Sequence, residues 1–427
     1  MSAAPRAVAG GGRGASRGFF RSRWVERPAH VTELGPTALP AGFRAGGVAS
    51  GIKHEGLDVG LLTSDEDGTV SAARFTTNAL VAAPVVVSAG AALERLRAVA
   101  VNSGNANVSD GDRGLATARA GQSAAAEALD LEPDRVGVAS TGVIGRNLPR
   151  DKLVHGIRSA AGGLAPNADA FSEAILTTDR GPKCACLEVA VPSGQVRLAA
   201  QAKGGGMISP RFATMLCFVE TDALLRPETL DLLTGVTVRR SFERISVDGQ
   251  LSTNDSVFAL ASGASGIEVG PESPDELALG EAMDALLRQL AVEIVADGEG
   301  ASRVGRVVVR GEADSVEPVA RAVANSPLVK SALLGADPNF GRVLQAAGQA
   351  LAGRTPFVVD LEIEGLQVVS AGTVIDLQPD ELAELERRVG SPEVEFVLTV
   401  PGEGGETEVF FSDLTHDYVT LNAEYST

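Results

Sequence analysis

The chain has 427 residues, 44% of them hydrophobic and 22% charged, which is the balance of a globular protein with room for two or three domains. Its net charge of −18 argues against a nucleic-acid binder, which would carry a basic face. No apolar run approaches the roughly 18 residues that a membrane helix needs, so no membrane partner is expected. An odd and sparse set of cysteines (Cys184, Cys186 and Cys217) argues against a disulfide framework and favours a cytoplasmic protein.

The first thirty residues differ in composition from the rest of the chain. They are rich in Gly, Ala, Ser and Arg, and they carry six arginines against one acid, Glu26. The segment has no apolar stretch of the kind found in a secretory signal. We therefore expect residues 1–30 to form a disordered basic tail ahead of the folded chain. The alternatives are translation from a start codon upstream of the real one and, less favoured, a basic transit peptide that is poor in acidic residues.

From Val31 onward, short apolar strands alternate with helical patterns, which predicts an α/β chain. The segments 97–102 and 135–141 are typical of buried strands, and the alanine-rich segment 115–131 between them is typical of a helix. Two further helices, a pair of alternating strands and a nearly continuous apolar strand follow at 151–164, 168–176, 185–202 and 214–219.

The longest predicted helix begins after Ser273, whose hydroxyl can cap it, with Pro274 and acidic residues in the first turn. The last hundred residues mix strands at 356–365 and 394–400 with a helix over 379–389. No repeat and no long linker is evident in the sequence after the basic segment.

Small polar residues gather where the predicted strands end. One cluster, NSGNAN, covers 102–107, and another, STGVIG, covers 140–145. Asn and Gly are ordinary turn residues, so either cluster alone predicts only a turn. A loop of this kind can nevertheless point backbone N–H groups and a hydroxyl into a cleft, which is the make-up of an oxyanion hole.

The segment KGGGMISPRFATML, residues 203–216, opens with a lysine and three glycines. It does not match a phosphate-binding loop, in which the lysine follows the glycines and a helix comes next. None of the polar clusters contains any of the four histidines, which are His30, His54, His155 and His416. A serine or cysteine hydrolase needs a base, usually histidine, beside its nucleophile. A nucleophile in this chain would therefore need another kind of base.

Taken together, the clusters resemble the ornithine acetyltransferase (glutamate N-acetyltransferase) family, whose members are self-cleaving enzymes of arginine biosynthesis. The resemblance covers the chain from about Val31 to Thr427, and it rests on a set of ordered motifs rather than on any one of them. The motifs are GFRAGGVASGIK, NSGNAN, STGVIG, AILTTD, KGGGMISPRFATML, TDA, VDGQLSTND, DGEGASR, NSPLVKSALLGADPNFGR and DLTHDYVTLNAEYST.

The resemblance implies a central role for Thr214. The family cuts its own Ala–Thr bond, which here joins Ala213 to Thr214. The threonine hydroxyl attacks the alanine carbonyl, the C–N bond breaks to leave an ester, and water then hydrolyses that ester. Cleavage would free the Thr214 α-amine, and an α-amine has a pKa of about 7.7–8.0 in model peptides, which suits a general base near neutral pH. Thr214 would thus be both nucleophile and base. Two fragments would follow the tail, an α-chain region over 31–213 and a β-chain region over 214–427.

The same motif matching implies roles for the other clusters. Thr141 and Gly142 would stabilise the oxyanion, and loss of one such donor typically costs about 10²–10³ in rate. Lys203 would meet a substrate carboxylate as a point charge. The remaining implied substrate contacts are one of Thr177 and Thr178, with Thr177 favoured, together with Thr214, Glu299 on the amine side, Asn422 and Thr427.

The implied reaction is a ping-pong acetyl transfer from N-acetylornithine to Thr214 and then to glutamate, with no metal and no cofactor. Some family members also accept acetyl-CoA, and the sequence does not decide whether this chain does. The implied assembly is α2β2. The implied fold is an α/β (α+β) layered sandwich with β-sheets packed between helices, as in the ornithine acetyltransferase and DmpA-like fold.

The chain departs from the family pattern at a few motif positions, none of which removes an implied catalytic group. The departures are Gly205, the pair Arg211–Phe212 beside the implied cleavage bond, Gln250 and Phe340. Relatives in antibiotic pathways use other acyl donors, so a specialised acyltransferase remains an alternative.

Two further alternatives belong to other classes of protein. A self-cleaving amidohydrolase or aminopeptidase would pass its acyl group to water, whereas the implied lysine, glutamate and asparagine contacts suit an amino-acid acceptor. A binding protein without activity would never cut the chain before Thr214. The presence or absence of a fragment that starts at Thr214 therefore distinguishes a self-cleaving enzyme from such a binding protein.

Overall fold

The computed structural model describes residues 18–209, 215–354 and 357–424. Its strands are β1 (Val31–Glu33), β2 (Phe43–Val48), β3 (Val59–Ser64), β4 (Val70–Phe75), β5 (Ala98–Asn105), β6 (Val136–Val143), β7 (Lys183–Val191), β8 (Gly194–Lys203), β9 (Leu216–Thr221), β10 (Ile245–Ser246), β11 (Ser256–Ala261), β12 (Val304–Glu312), β13 (Asp360–Ile363), β14 (Leu366–Ser370), β15 (Thr373–Val374), β16 (Glu393–Thr399) and β17 (Gly404–Ser412). Its α-helices are α1 (Ala83–Ala89), α2 (Gly111–Leu129), α3 (Arg150–Gly162), α4 (Asp169–Ala174), α5 (Pro227–Arg240), α6 (Pro274–Ala296), α7 (Ala313–Asn325), α8 (Pro327–Leu334), α9 (Phe340–Ala350), α10 (Pro379–Val389) and α11 (His416–Glu424).

The described strands form three sheets. A six-stranded sheet has the order β1-β7-β8-β9-β11-β4, and a four-stranded sheet has the order β2-β3-β5-β6. A seven-stranded sheet has the order β10-β17-β12-β16-β13-β14-β15. The pairs β5–β6 and β9–β11 are parallel, so equivalent ends of these strands lie side by side.

The six-stranded and four-stranded sheets face each other, and helices cover their outer faces. Phe218 and Phe258 of the first sheet share a buried core with Val99 and Val101 of the second. The outer face of the six-stranded sheet packs on α5 and α6, and that of the four-stranded sheet packs on α1, α2 and α3. This helix–sheet–sheet–helix order confirms the predicted layered sandwich.

The seven-stranded sheet belongs to the later half of the chain and is joined to the sandwich through α6. One of its faces packs on α7, α8, α9 and α10 around Val309, Leu398 and Phe411. On its other face, Phe410 enters the core that contains α6. Although α6 has 23 residues, no helix in the described part of the chain is both long and apolar enough to cross a bilayer.

Local sequence signals explain where two of the helices begin. Ser273 caps α6, because its Oγ accepts a hydrogen bond from the N–H of Glu276 at 3.1 Å. The segment around Asn339 reads in the sequence as a turn, but Asn339 Oδ1 accepts from the N–H of Arg342 and starts α9. An asparagine that begins a turn and one that caps a helix look alike in sequence.

The structure differs from the predicted disordered tail over its last part, residues 18–30. Three aromatic side chains of this segment pack on the core beside α6, namely Phe19, Phe20 and Trp24. Arg21 also pairs with Glu293 at 2.6 Å. Burial of these aromatic side chains favours packing of the segment on the core, and the average composition of the thirty residues did not indicate it. The earlier part of the predicted tail, residues 1–17, lies outside the described residues.

Candidate active site

Lys203, the last residue of β8, is the buried cation of the candidate site, with only 2% of its side chain exposed. Its Nζ donates to Thr177 Oγ1 at 2.6 Å and to Thr141 Oγ1 at 3.4 Å. Thr177 follows α4 and Thr141 lies near the end of β6, so three separate elements meet here. The structure therefore brings together the predicted substrate lysine, a predicted oxyanion residue and the favoured member of the threonine pair.

A buried carboxylate, Asp179, holds this lysine in place. Asp179 Oδ2 lies 3.5 Å from Lys203 Nζ, while Oδ1 accepts from Lys183 Nζ at 2.8 Å and from the N–H of Gly204 at 2.7 Å. Burial acts to raise the pKa of the Asp179 carboxyl, but the charges of Lys203 and Lys183 outweigh it and hold that pKa well below its usual range. Asp179 closes the AILTTD motif, yet the sequence interpretation gave it no role.

The oxyanion candidates Thr141 and Gly142 lie where β6 runs beside the end of β5 through an irregular register. Gly142 has a φ of +133°, a backbone conformation that glycine adopts far more readily than other residues. A Cβ at this position would lie 2.4 Å from the carbonyl carbon of Gly104 and 2.5 Å from the N of Asn105. The NSGNAN and STGVIG clusters therefore meet, and their contact requires glycine at 142.

Glu299 and Asn422 form the acidic side of the site. Asn422 Nδ2 donates to Glu299 Oε2 at 2.7 Å. The N–H of Glu299 donates to Gly205 O at 2.8 Å, and a Cβ on Gly206 would lie 2.6–2.7 Å from the Glu299 carboxylate atoms. The run of three glycines thus connects the cation of Lys203 to the anion of Glu299. An amino acid carries a carboxylate and an amine, which complement these two charges.

Two groups beside Glu299 were missed from the sequence. Tyr418 OH donates to Asp248 Oδ2 at 3.4 Å, and Asp248 also accepts from the N–H groups of Met207 and Ile208. Burial, together with the charges of Asp248 and Glu299, raises the pKa of the Tyr418 hydroxyl. Both residues lie within motifs that carried the family resemblance, and that membership was the signal available for finding them.

A second lysine, Lys53, also reaches this region and was missed. Its Nζ donates to Leu176 O at 3.1 Å, and a Cβ on Gly104 would lie 2.5 Å from its Cγ. Burial lowers the pKa of the Lys53 ammonium; the charge of Asp58 opposes this effect, and the nearby charge of Lys203 adds to it. Lys53 ends the GFRAGGVASGIK motif, so its place in a motif was again the only sequence signal.

The remaining predicted residues either lie away from Lys203 or belong to parts of the chain outside the described residues. Within the pair Thr177 and Thr178, the hydroxyl that accepts from Lys203 is that of Thr177, whereas the Thr178 hydroxyl lies on the side of Gly205, where a Cβ would be 3.2 Å from it. Among the described residues, no group of three or more His, Cys, Asp and Glu side chains could hold a metal ion. The predicted residues outside the described part of the chain are Ala213, Thr214 and Thr427, together with the departures Arg211 and Phe212.

Known proteins resemble the chain over nearly all of this structure. A model of the ArgJ family matches residues 44–427. The arginine biosynthesis bifunctional protein ArgJ of Symbiobacterium thermophilum is 43% identical over 403 residues, covering 92% of this chain and 99% of that protein. The protein of the same name from Nitratidesulfovibrio vulgaris is 42% identical over 395 residues, covering 91% and 99%.

A solved structure is similar over a smaller share of the chain. Ornithine acetyltransferase of Mycobacterium tuberculosis, complexed with ornithine, is 34% identical and covers 43% of this chain and 99% of that chain, with a TM-score of 0.40. The family match, by contrast, spans every described site residue from Lys53 to Asn422.

Proposed function

The chain belongs to the ArgJ family and is an acetyltransferase of arginine biosynthesis; from this premise we propose that Thr214 carries the acetyl group from N-acetylornithine to glutamate. The proposal includes self-cleavage between Ala213 and Thr214, which frees the α-amine that serves as base. The observation that carries it is the placement of Lys203 against Thr141 at one end of three glycines, with Glu299 at the other end.

Each half of the proposed reaction moves one acetyl group and one proton. Thr214 Oγ attacks the acetyl carbonyl of N-acetylornithine, and its proton passes to the Thr214 α-amine. Thr141 and Gly142 stabilise the oxyanion of the tetrahedral intermediate. The C–N bond then breaks, and the proton moves to the leaving amine of ornithine. Glutamate reverses these steps: its amine attacks the ester, and N-acetylglutamate leaves as Thr214 regains its proton.

One set of charges serves both substrates, because ornithine and glutamate share the α-carboxylate and the α-nitrogen. Lys203 binds the α-carboxylate, supported by Asp179 from behind. Glu299 contacts the amine side, and Asn422 and Thr427 are further substrate contacts from the C-terminal segment. Thr177 adds a hydroxyl beside Lys203, and its 2.6 Å contact favours it over Thr178 as the substrate threonine.

The two fragments would remain together after cleavage. In the six-stranded sheet, β8 of the α-chain region pairs with β9 of the β-chain region, with Lys203 opposite Leu216. β11, also from the β-chain region, lies between β9 and β4.

We extend the proposal to an α2β2 assembly in the cytoplasm and to acetyl-CoA as a second donor. Light scattering of the cleaved protein and an assay with acetyl-CoA and glutamate test the assembly and the donor.

An activity assay tests the proposed function. The full chain is incubated with N-acetylornithine and glutamate, and N-acetylglutamate is measured. Thr214→Ala is expected to remain one uncut chain without activity, whereas Thr178→Ala is expected to be cut and active. An uncut wild type, or an uncut but active Thr214→Ala, would overturn the role of Thr214. Acyl transfer to water in place of glutamate would instead support a hydrolase.

A further inference from the structure

The buried asparagine at position 254, just before β11, joins the ends of the two strands that form the oxyanion region. Asn254 Nδ2 donates to Ser140 O at 2.9 Å and to Ala106 O at 2.6 Å. Ser140 precedes Thr141 on β6, and Ala106 directly follows β5. Because a peptide unit is planar, fixing the carbonyl of Ser140 also fixes the N–H of Thr141. Asn254 therefore controls the orientation of the oxyanion strand without belonging to it.

The next residue, Asp255, makes a contact on the nucleophile side. Asp255 Oδ1 accepts from the N–H of Met215 at 3.0 Å, and Met215 is bonded to Thr214. The parallel pairing of β9 with β11 continues this contact, because the N–H of Ser256 donates to Met215 O at 3.2 Å. The residue that follows the proposed nucleophile is thus held on both its N–H and its carbonyl.

Stability alone does not account for a carboxyl group at position 255. The side chain is buried, and Oδ2 accepts no hydrogen bond of normal geometry within the described part of the chain, although the Ser252 hydroxyl is close enough to oppose the rise that burial causes in the pKa of this carboxyl. A buried polar atom without a well-formed hydrogen bond destabilises the folded chain. A catalytic role is one recognised reason for a folded protein to keep such an atom, and it would explain the carboxyl group at position 255.

We propose that Asn254 and Asp255 are positioning residues that together set the distance between the oxyanion donors and the nucleophile; this inference rests on the proposed function. Asn254 acts through Ser140 on the oxyanion strand, and Asp255 acts through Met215 on the nucleophile strand. Since the two residues are adjacent, one dipeptide fixes both sides of the reacting centre. A misplacement of about 1 Å in such a centre can cost on the order of 10²-fold in rate.

The test compares two disruptive variants with a matched control. Asn254→Asp replaces two N–H donors by an acceptor that faces two carbonyl oxygens, and Asp255→Ala removes the acceptor for Met215. The control is Gln122→Glu, which removes an amide donor to Val136 O (2.8 Å) at the opposite end of β6. Self-cleavage is followed by mass spectrometry after cell-free synthesis of the full chain, and kcat and KM are measured for the fraction that is cut.

Both disruptive variants are expected to lower the cleavage rate and kcat about 10²-fold while KM changes less than about threefold, because they misplace the reacting groups and leave the substrate contacts intact. The control is expected to match wild type. Asp255→Asn is the rescue variant, since its amide oxygen can still accept from Met215, and it should stay within about tenfold of wild type.

The positioning role is overturned if the two disruptive variants match the control, if they change KM alone, or if Asp255→Asn is as impaired as Asp255→Ala. Thermal unfolding identifies a variant that fails to fold. If Asn254→Asp is such a variant, the comparison of Asp255→Asn with Asp255→Ala tests the positioning role. A wild type that yields no fragment starting at Thr214 refutes the proposed function itself, and the positioning role with it. A wild type that cuts and transfers normally beside unaffected variants refutes the positioning role alone.

Discussion

Asp179→Asn tests the electrostatic account of the site, because it leaves a buried lysine without its counter-charge. The Asp179 side chain is fully buried between Lys183 Nζ at 2.8 Å and Lys203 Nζ at 3.5 Å. Breaking a buried ion pair by removing one partner costs about 3–5 kcal/mol. Lys183 keeps Asp297 at 2.5 Å as a second partner, so we expect a loss at the lower end, about 3 kcal/mol.

The destabilisation is expected to depend on pH with a definite sign. An ordinary Asp ionises with a pKa of about 3.9, and the pKa of Asp179 in the folded chain lies well below that value. The stabilising contribution of the ionised Asp179 is therefore complete above about pH 4 and is lost as the pH falls toward the depressed pKa. The free energies of unfolding of wild type and variant should differ by a constant amount at neutral pH and converge in acid.

The comparison uses thermal unfolding in a Thr214→Ala background, so that all chains are uncut. Asp179→Asn is expected to lower Tm by on the order of 5 °C. The control is Asp231→Asn, which removes an exposed partner of Arg74 (2.6 Å) and should leave Tm unchanged. Equal Tm values for the two variants, or a difference that grows in acid, would refute the account.

Three further outcomes are expected at other positions. Gly206→Ala should displace the Glu299 carboxylate and raise KM about tenfold, while self-cleavage stays intact. The control Gly205→Ala should be tolerated, because its Cβ would lie 3.2 Å from the nearest hydroxyl; equal KM values for the two variants would contradict this expectation. Gly142→Ala should abolish self-cleavage, because its Cβ would lie 2.4 Å from backbone at a φ of +133°, and a fragment starting at the nucleophile in this variant would be the contrary result. Burial lowers the pKa of Lys330 to about 7, so between that pH and about 10 the unfolded chain binds more protons and stability rises with pH. Lys330→Met should flatten this rise in urea unfolding, and an unchanged slope would refute it.

The family resemblance implied the layered fold and named Lys203 and Thr141, which the structure brings into contact, because ordered motifs carry information about a whole family. The same motifs contain Asp179 and Asn254, but a motif does not indicate what these two residues contact. Asp179 acts through lysines on β7 and β8, and Asn254 acts on a carbonyl of β6. Such contacts depend on sheet order and strand register, which no local pattern specifies.

The sequence also left Thr177 and Thr178 as alternatives for a physical reason. Two consecutive residues in a loop follow neither a helical nor a strand period, so their directions depend on how the chain leaves α4. In the structure, Thr177 contacts Lys203, whereas Thr178 lies near Gly205. At residues 18–30 the sequence prediction of disorder was wrong for another reason. The prediction followed the arginine-rich composition, whereas the aromatic residues of the segment determine where it packs.

The most direct test of the central claim is to trap the acetyl group on the enzyme. The cut protein is mixed with N-acetylornithine in the absence of glutamate, and the fragments are analysed by mass spectrometry. We predict a β-chain fragment that begins at Thr214 and carries one acetyl ester on that residue, which disappears when glutamate is added. An acetyl group that forms on another residue, or a fragment that never becomes acetylated while transfer proceeds, would contradict the claim.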